Sequence, residues 1–97
     1  MTNRIYYTDP GCRTFAATVT RAFDQEGRPA VTLDRTAFYP SSGGQPFDTG
    51  RLGAAAVEEA MEAEGDVIHV VSAPLAAGLA VTGEIDWERR FDHMQQH

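Results

Sequence analysis

The chain has 97 residues, of which 42% are hydrophobic and 23% charged, the usage of an ordinary globular domain rather than of a disordered or fibrous protein. The net charge of −6 comes from 14 acidic residues against 8 basic ones, which argues against a broad phosphate-binding surface. Cys12 has no disulfide partner, no leader opens the chain, and no run reaches the roughly 18 apolar residues of a membrane helix. We therefore expect one cytoplasmic domain without membrane insertion.

The first third of the chain predicts short strands separated by turn residues. Residues 5–7 are β-prone and end at the turn formed by residues 9–11. Residues 15–23 alternate, imperfectly, between apolar and polar side chains, which is typical of a strand. The polar loop 24–27 follows, so we expect residues 30–34 to return as the second strand of a hairpin.

The middle of the chain gives less consistent signals. Residues 36–39 form an aromatic, β-prone run, and residues 40–50, with two prolines and three glycines, predict a loop. In residues 54–63 the apolar spacing and the alanines favour a helix. However, the turn at residues 64–66 leads directly into a strand at 67–71, so 54–63 can also be its hairpin partner. We predict a strand there, because the family resemblance described below favours it.

The end of the chain predicts a strand over residues 79–85 and then a helix. Asp86 is a suitable N-cap, and the helix begins at Trp87. We therefore expect a β domain over residues 1–86, followed at residues 87–97 by the start of a helix that lies outside this domain.

Two histidines in that helix have the spacing of metal ligands. His93 and His97 stand four residues apart, so both imidazoles lie on one helix face and can reach one zinc ion. Such pairs also occur by chance, and spacing alone does not decide between the two. Of the other nitrogen and sulfur candidates, we expect His69 to be a packed histidine in an apolar strand and Cys12 to be inert.

The loop at residues 40–50 has the composition of a ligand-binding turn. Gly43 and Gly44 lack a Cβ, so a ligand can approach the backbone closely, and Gln45 offers an amide donor and acceptor at the same point. A glycine-rich surface turn without a ligand would have the same composition. The loop alone leaves both interpretations open.

Five segments have specific sequence motifs, including a TAFYP run, a GGQ triplet and a closing RRFDHMQQH. Together they resemble the editing domain of alanyl-tRNA synthetases and their free-standing AlaX-type relatives, over about half of the chain. Ser42 departs from the pattern, because many members have glycine there. The matching segments are residues 36–40, 43–45, 68–71, 83–86 and 89–97.

The resemblance implies a small β-barrel similar to domain 2 of translation elongation factors, packed in the family against a downstream α/β editing domain. It implies a zinc-dependent hydrolase that removes serine or glycine from alanine-specific tRNA, with Thr36 contacting the serine hydroxyl. The cysteine and histidine that complete the zinc site in the family come from that downstream domain. The implied site residues are Thr36 and Gln45 as catalytic, Gly43 and Gly44 as substrate-binding, and His93 and His97 as zinc ligands.

The resemblance also implies that the chain stops at the second histidine of the zinc helix, so we expect these 97 residues alone to fold and to be inactive. The start at Met1 favours the free-standing type.

Two other classes of function remain open for the chain. One is a non-catalytic β-barrel module whose acidic surface docks on a protein partner or a neighbouring domain. The other is a small metal-binding protein that uses Cys12 or His69 with His93 and His97.

Overall fold

The computed structural model describes residues 3–9, 11–41, 47–63 and 65–86, and these residues form a mainly β domain, as predicted. Its elements in chain order are β1 (Asn3–Arg4), α1 (Ile5–Thr8), β2 (Thr14–Gln25), β3 (Arg28–Leu33), β4 (Arg35–Thr36), β5 (Gly50–Leu52), β6 (Ala55–Ala63), β7 (Asp66–Val71) and β8 (Ala80–Ile85). Six strands close into a barrel in the order β2-β3-β7-β6-β5-β8. Every neighbouring pair in it is antiparallel. The short strands β1 and β4 pair in parallel beside the barrel.

The predicted helix at residues 87–97, with Asp86 as its N-cap, lies outside the described residues. The likeness to an elongation-factor domain stays a prediction. In the part of the chain that the structure describes, no helix has the length and apolar character needed to cross a membrane.

The barrel interior is filled by alternate residues of the strands. In β2, Phe15, Ala17 and Val19 are buried while the residues between them are exposed, because successive side chains of a strand point to opposite faces. The pairing register with β3 shifts between Val19 and Arg21. Beyond this β-bulge no β2 side chain is fully buried, which explains why the apolar alternation of the sequence is imperfect there.

A β-bulge also resolves the conflict over residues 54–63, where the predicted strand is confirmed. The pairing register between β6 and β7 shifts between Val57 and Glu59. The inward-facing positions therefore move from Ala55 and Val57 to Ala60. Two buried residues three apart are the spacing of a helix face, so the bulge produced a helix-like pattern in a strand.

The predicted hairpin between β2 and β3 is confirmed, and its loop is only two residues long. Glu26 and Gly27 both have positive φ, 54° and 83°, as the two central residues of a type I′ turn require. The predicted strands at 67–71 and 79–85 are confirmed as β7 and β8.

The prediction of a strand at residues 5–7 was wrong, because this segment forms the single helical turn α1. Ile5 and Tyr6 are both buried, although they are consecutive and a strand would send them to opposite faces. The turn closes through two hydrogen bonds to the Ile5 carbonyl, from the Asp9 amide at 2.7 Å and from the Thr8 hydroxyl at 3.2 Å. Burial of adjacent apolar residues therefore overrode β propensity.

The predicted β-prone run at residues 36–39 is a strand only at its first residue, where β4 ends. Beyond β4, the Phe38 and Tyr39 amides bind side chains instead of a neighbouring strand. The Thr36 hydroxyl accepts from the Phe38 amide at 3.1 Å, and the Asp48 carboxylate accepts from the Tyr39 amide at 2.8 Å. Local side-chain acceptors thus replaced the strand ladder.

The predicted loop at 40–50 ends one residue early, because Gly50 opens β5, a strand that the sequence did not indicate. β5 lies between β6 and β8 and completes the barrel. A Cβ atom on Gly50 would overlap the backbone carbonyl of Glu84 in β8. The closure of the barrel therefore depends on glycine at this position.

We predict that Gly50→Ala lowers the free energy of unfolding by about 3 kcal/mol, because the overlapping atom belongs to the backbone of a paired strand and cannot rotate away. The matched control is Gly11→Ala, whose added Cβ would have its nearest neighbour at 3.8 Å and should change stability by less than about 0.5 kcal/mol. Urea denaturation of both variants measures the difference. Equal midpoints for the two variants would contradict the closure argument.

Candidate functional site

A buried hydrogen-bonded pair, Thr36 and His69, lies inside the domain. Thr36 is the last residue of β4, and His69 lies on β7, between Val31 of β3 and Ala60 of β6. Both side chains are fully buried, with 0% exposure. The Thr36 Oγ1 and His69 Nε2 atoms are 2.8 Å apart. Thr36 was predicted to be a site residue, and the structure joins it to a histidine that was predicted only to pack.

The partners of His69 determine which ring nitrogen carries the proton. His69 Nδ1 lies 3.2 Å from the carbonyl oxygen of Val31, and a carbonyl can only accept, so Nδ1 is the protonated nitrogen. In a neutral imidazole the other nitrogen is then an acceptor. The Thr36 hydroxyl therefore donates its proton to His69 Nε2.

His69 is held in the neutral form. Burial, the largest cause, lowers the pKa of His69 from 6.5 to about 4, because the charged ring would lose its hydration. The hydrogen bond to the Val31 carbonyl and the negative charge of Asp66 act in the opposite direction. The desolvation is stronger, so at neutral pH the ring is uncharged and its two hydrogen bonds keep the directions given above.

Phe38 contacts both members of the pair. Its amide donates to Thr36 Oγ1 at 3.1 Å, and its ring packs edge-on against the ring of His69, with centroids 5.5 Å apart. The Phe38 ring also packs against the ring of Phe15, with centroids 5.7 Å apart. The threonine hydroxyl is thus fixed by one donor, one acceptor and an aromatic wall.

The glycine-rich loop begins and ends next to this pair. Tyr39 and Asp48 form two hydrogen bonds across its base, from the Tyr39 amide to the Asp48 carboxylate at 2.8 Å and from the Asp48 amide to the Tyr39 carbonyl at 2.9 Å. Ser41 is held to β6, because its amide donates to the Ala60 carbonyl at 2.7 Å and its carbonyl accepts from the Glu62 amide at 3.2 Å. The base of the loop is therefore anchored on the same barrel strand that borders His69.

Three tyrosines form an aromatic patch where the loop begins. The Tyr6 ring contacts the rings of Tyr7 and Tyr39, with centroid distances of 4.8 and 5.0 Å. Tyr7 is 70% exposed and Tyr39 is 42% exposed. Apart from the patch, Leu79 is the only large apolar side chain exposed within the described ranges.

The other predicted site residues lie outside the described residues: Gly43, Gly44 and Gln45 of the loop, and the two histidines His93 and His97. The predicted convergence of the histidines on the loop therefore stays a prediction. In the described part of the chain, no group of three or more histidine, cysteine or acidic side chains is placed to hold a metal ion.

The two further metal candidates have other partners in the structure. Both ring nitrogens of His69 are engaged, by Thr36 and Val31, so the interpretation of His69 as a packed histidine is confirmed and a role as metal ligand does not fit. The Cys12 thiol donates to the Thr14 carbonyl at 3.1 Å. Within the described residues, Cys12 belongs to no group of three or more metal-ligating side chains.

Sequence reasoning missed the partnership of Thr36 with His69 and the role of Asp48 at the loop base. The two members of the first pair are 33 positions apart, and only the strand order of the barrel brings them together. A signal for Asp48 existed, because an aspartate at the end of a glycine-rich loop commonly binds backbone amides of the turn.

Comparison with known proteins gives a consistent set of relatives. Residues 11–89 match the family described as tRNA synthetases class II (A). The alanyl-tRNA editing protein AlaX-M of Methanosarcina barkeri is 42% identical, in an alignment that covers all of this chain and 43% of that protein. The alanine–tRNA ligase of Pyrobaculum arsenaticum is 44% identical over 99% of this chain and 11% of the ligase. The chain therefore spans less than half of the length of either relative.

We predict that the domain loses stability as the pH falls from about 6.5 to about 4, because the unfolded chain binds a proton at the ordinary histidine pKa and the folded chain does not. The His69 contribution is fully present above that window. Between pH 7 and pH 5 the loss should be about 2 kcal/mol. Urea denaturation at both values measures it.

The chain has three histidines, so the measurement is best made in a variant with His93→Gln and His97→Gln, which leaves His69 as the only one. A free energy of unfolding that stays constant from pH 7 to pH 5 would mean that His69 is not buried in the neutral form.

Proposed function

We propose, since this chain belongs to the family of class II (A) tRNA synthetases, that it is the barrel portion of an editing hydrolase that removes wrong amino acids from alanine-specific tRNA. The observation that carries the proposal is the identity of 42% with an alanyl-tRNA editing protein along the whole chain. Of the segments that carry the resemblance, TAFYP contains Tyr39 of the anchored loop base, and GGQ falls in the sequence between Tyr39 and Asp48.

The proposed reaction is hydrolysis of the ester between the amino acid and the terminal ribose of the tRNA. Water adds to the acyl carbon, the bond from that carbon to the ribose oxygen breaks, and a free amino acid and a ribose hydroxyl are released. Donors from Gly43, Gly44 and Gln45 would stabilise the negative charge that develops on the carbonyl oxygen. Zinc held by His93, His97 and further ligands would supply polarisation of the ester or of a water, or orientation of the aminoacyl group.

Thr36 is proposed to select the aminoacyl group. A pocket for alanine cannot exclude glycine by size and gains little discrimination from one extra hydroxyl, so a second site is needed to correct both errors. A threonine hydroxyl can bind the serine hydroxyl but gains nothing from the alanine methyl group. Thr36 is fully buried in the structure, so the proposal includes the displacement of a neighbouring side chain when the aminoacyl group binds.

The tyrosine patch favours a second candidate, in which the domain is a non-catalytic module that docks on a protein partner or neighbouring domain. Tyr7 and Tyr39 expose aromatic surface, and aromatic side chains are enriched in the core of protein interfaces. The two candidates differ in what Tyr7→Ser changes. Loss of partner binding with unchanged deacylation supports the module, whereas the editing proposal needs no partner protein.

We predict that Thr36→Val in the full-length gene product lowers the rate of deacylation of seryl-tRNA about tenfold, because the variant loses the hydroxyl that binds the serine side chain. Deacylation of glycyl-tRNA should change less than about twofold, since glycine has no side chain to bind. Thr36→Ser keeps the hydroxyl and is the matched control. An unchanged ratio of seryl to glycyl rates in the valine variant would count against the role of Thr36.

We predict that the 97-residue chain on its own neither retains zinc tightly nor deacylates mischarged tRNA. Zinc sites in proteins use three or four protein ligands, and His69 is already engaged through both ring nitrogens. Zinc per chain after dialysis and release of serine from mischarged tRNA are the two measurements. Stoichiometric zinc together with clear turnover would overturn this part of the proposal.

A further inference from the structure

The hydrogen bonds around Thr36 have fixed directions, and this restricts what the hydroxyl can do for a ligand. A threonine hydroxyl has one donor and two acceptor lone pairs. The donor is directed to His69 Nε2 at 2.8 Å, and one lone pair accepts from the Phe38 amide at 3.1 Å. One lone pair remains, so a third partner has to be a donor.

We propose that His69 is a positioning residue that holds the Thr36 hydroxyl as a hydrogen-bond acceptor, so that the site selects an aminoacyl group whose side chain carries a hydrogen-bond donor. The inference rests on the proposed function, because it concerns the contact between Thr36 and the aminoacyl group. It adds the direction of that contact: the serine hydroxyl donates and Thr36 accepts.

The Val31 carbonyl determines the direction of the hydrogen bond between Thr36 and His69. Val31 and His69 are register partners on adjacent strands, and the 3.2 Å contact with the carbonyl oxygen places the ring proton on Nδ1. Nε2 is then unable to donate. If the ring carried a proton on Nε2 as well, it would donate to Thr36, and the hydroxyl would be released to direct its own proton toward a ligand. Burial of the ring opposes that state, since it disfavours the charged form.

The rotation of the hydroxyl is restricted by the same surroundings. Thr36 and His69 are both 0% exposed, so water does not offer the hydroxyl an alternative acceptor. The edge-on packing of Phe38 against His69 holds the imidazole plane. The lone pair is therefore held in one direction before a ligand arrives, and a neighbouring side chain has to move before the ligand reaches it. A hydrogen bond of fixed direction discriminates strongly between ligands.

The first test changes only the ligand. The probes are adenosine 3′-amides of serine, 3-fluoroalanine and alanine, in which an amide replaces the labile ester, and calorimetry on the full-length gene product measures their binding. Fluorine is close in size to a hydroxyl but cannot donate. We expect the seryl amide to bind about tenfold more tightly than the alanyl amide, and the 3-fluoroalanyl amide to bind like the alanyl amide. Equal affinity for the seryl and fluoroalanyl amides would overturn the inference.

The second test changes His69. His69→Met keeps an apolar side chain of adaptable shape but removes the strong acceptor, whereas His69→Gln, the matched control, restores an acceptor oxygen at similar reach. The ratio of seryl to glycyl deacylation should fall about tenfold in the methionine variant and stay within about threefold of wild type in the glutamine variant. An equal loss of both activities in the methionine variant would assign His69 a purely structural role.

Different results would contradict the proposed function and the proposed role of His69. If the wild-type gene product does not deacylate mischarged tRNA, the proposed function fails. If it does, and Thr36→Val lowers seryl deacylation selectively while His69→Met does not, the function stands and only the role of His69 is wrong. If His69→Met does not fold, the ligand series on the wild-type protein decides the question alone.

Discussion

The interaction on which the interior of this domain depends is the hydrogen-bond chain that runs from the Val31 carbonyl through His69 to the Thr36 hydroxyl and the Phe38 amide. Each member is buried, so each would cost free energy without its partner. The chain joins the barrel strands β3 and β7 to β4 and the segment that leads into the glycine-rich loop. The same residues therefore determine the packing of the domain interior and the direction in which the Thr36 hydroxyl proton points.

Most strands were predictable because they carry their own local signals, whereas the barrel was expected only from the family resemblance. The hairpin at Glu26 and Gly27 and the strands β7 and β8 follow from turn residues and alternation. The errors arose where a local rule met a tertiary constraint. Burial of the consecutive Ile5 and Tyr6 produced a helical turn where a strand was predicted. The bulge in β6 gave a strand the apolar spacing of a helix, although the strand predicted there was confirmed. β5 has three residues, too few for any periodicity.

For the buried pair, the sequence predicted one member, Thr36, as a site residue but did not predict its hydrogen-bond partners. The TAFYP motif identified Thr36 as a candidate through the family resemblance, and the chain belongs to the matching family. Its bond to His69 crosses 33 positions and depends on barrel closure, which no local pattern encodes. Likewise, Asp48 reaches back to Tyr39 across the loop. The sequence therefore named Thr36 as a candidate, whereas its hydrogen-bond partners and the direction of those bonds required the fold.

The hydrogen-bond chain requires that His69 is a neutral ring with its proton on Nδ1. Long-range proton–nitrogen correlation NMR on a sample labelled with ¹⁵N-histidine measures this directly, because protonated and unprotonated ring nitrogens have different chemical shifts. We expect a protonated Nδ1 and an unprotonated Nε2 for His69 at pH 7, unchanged at pH 5. A ring protonated on Nε2, or one that gains a second proton near pH 6.5, would contradict it.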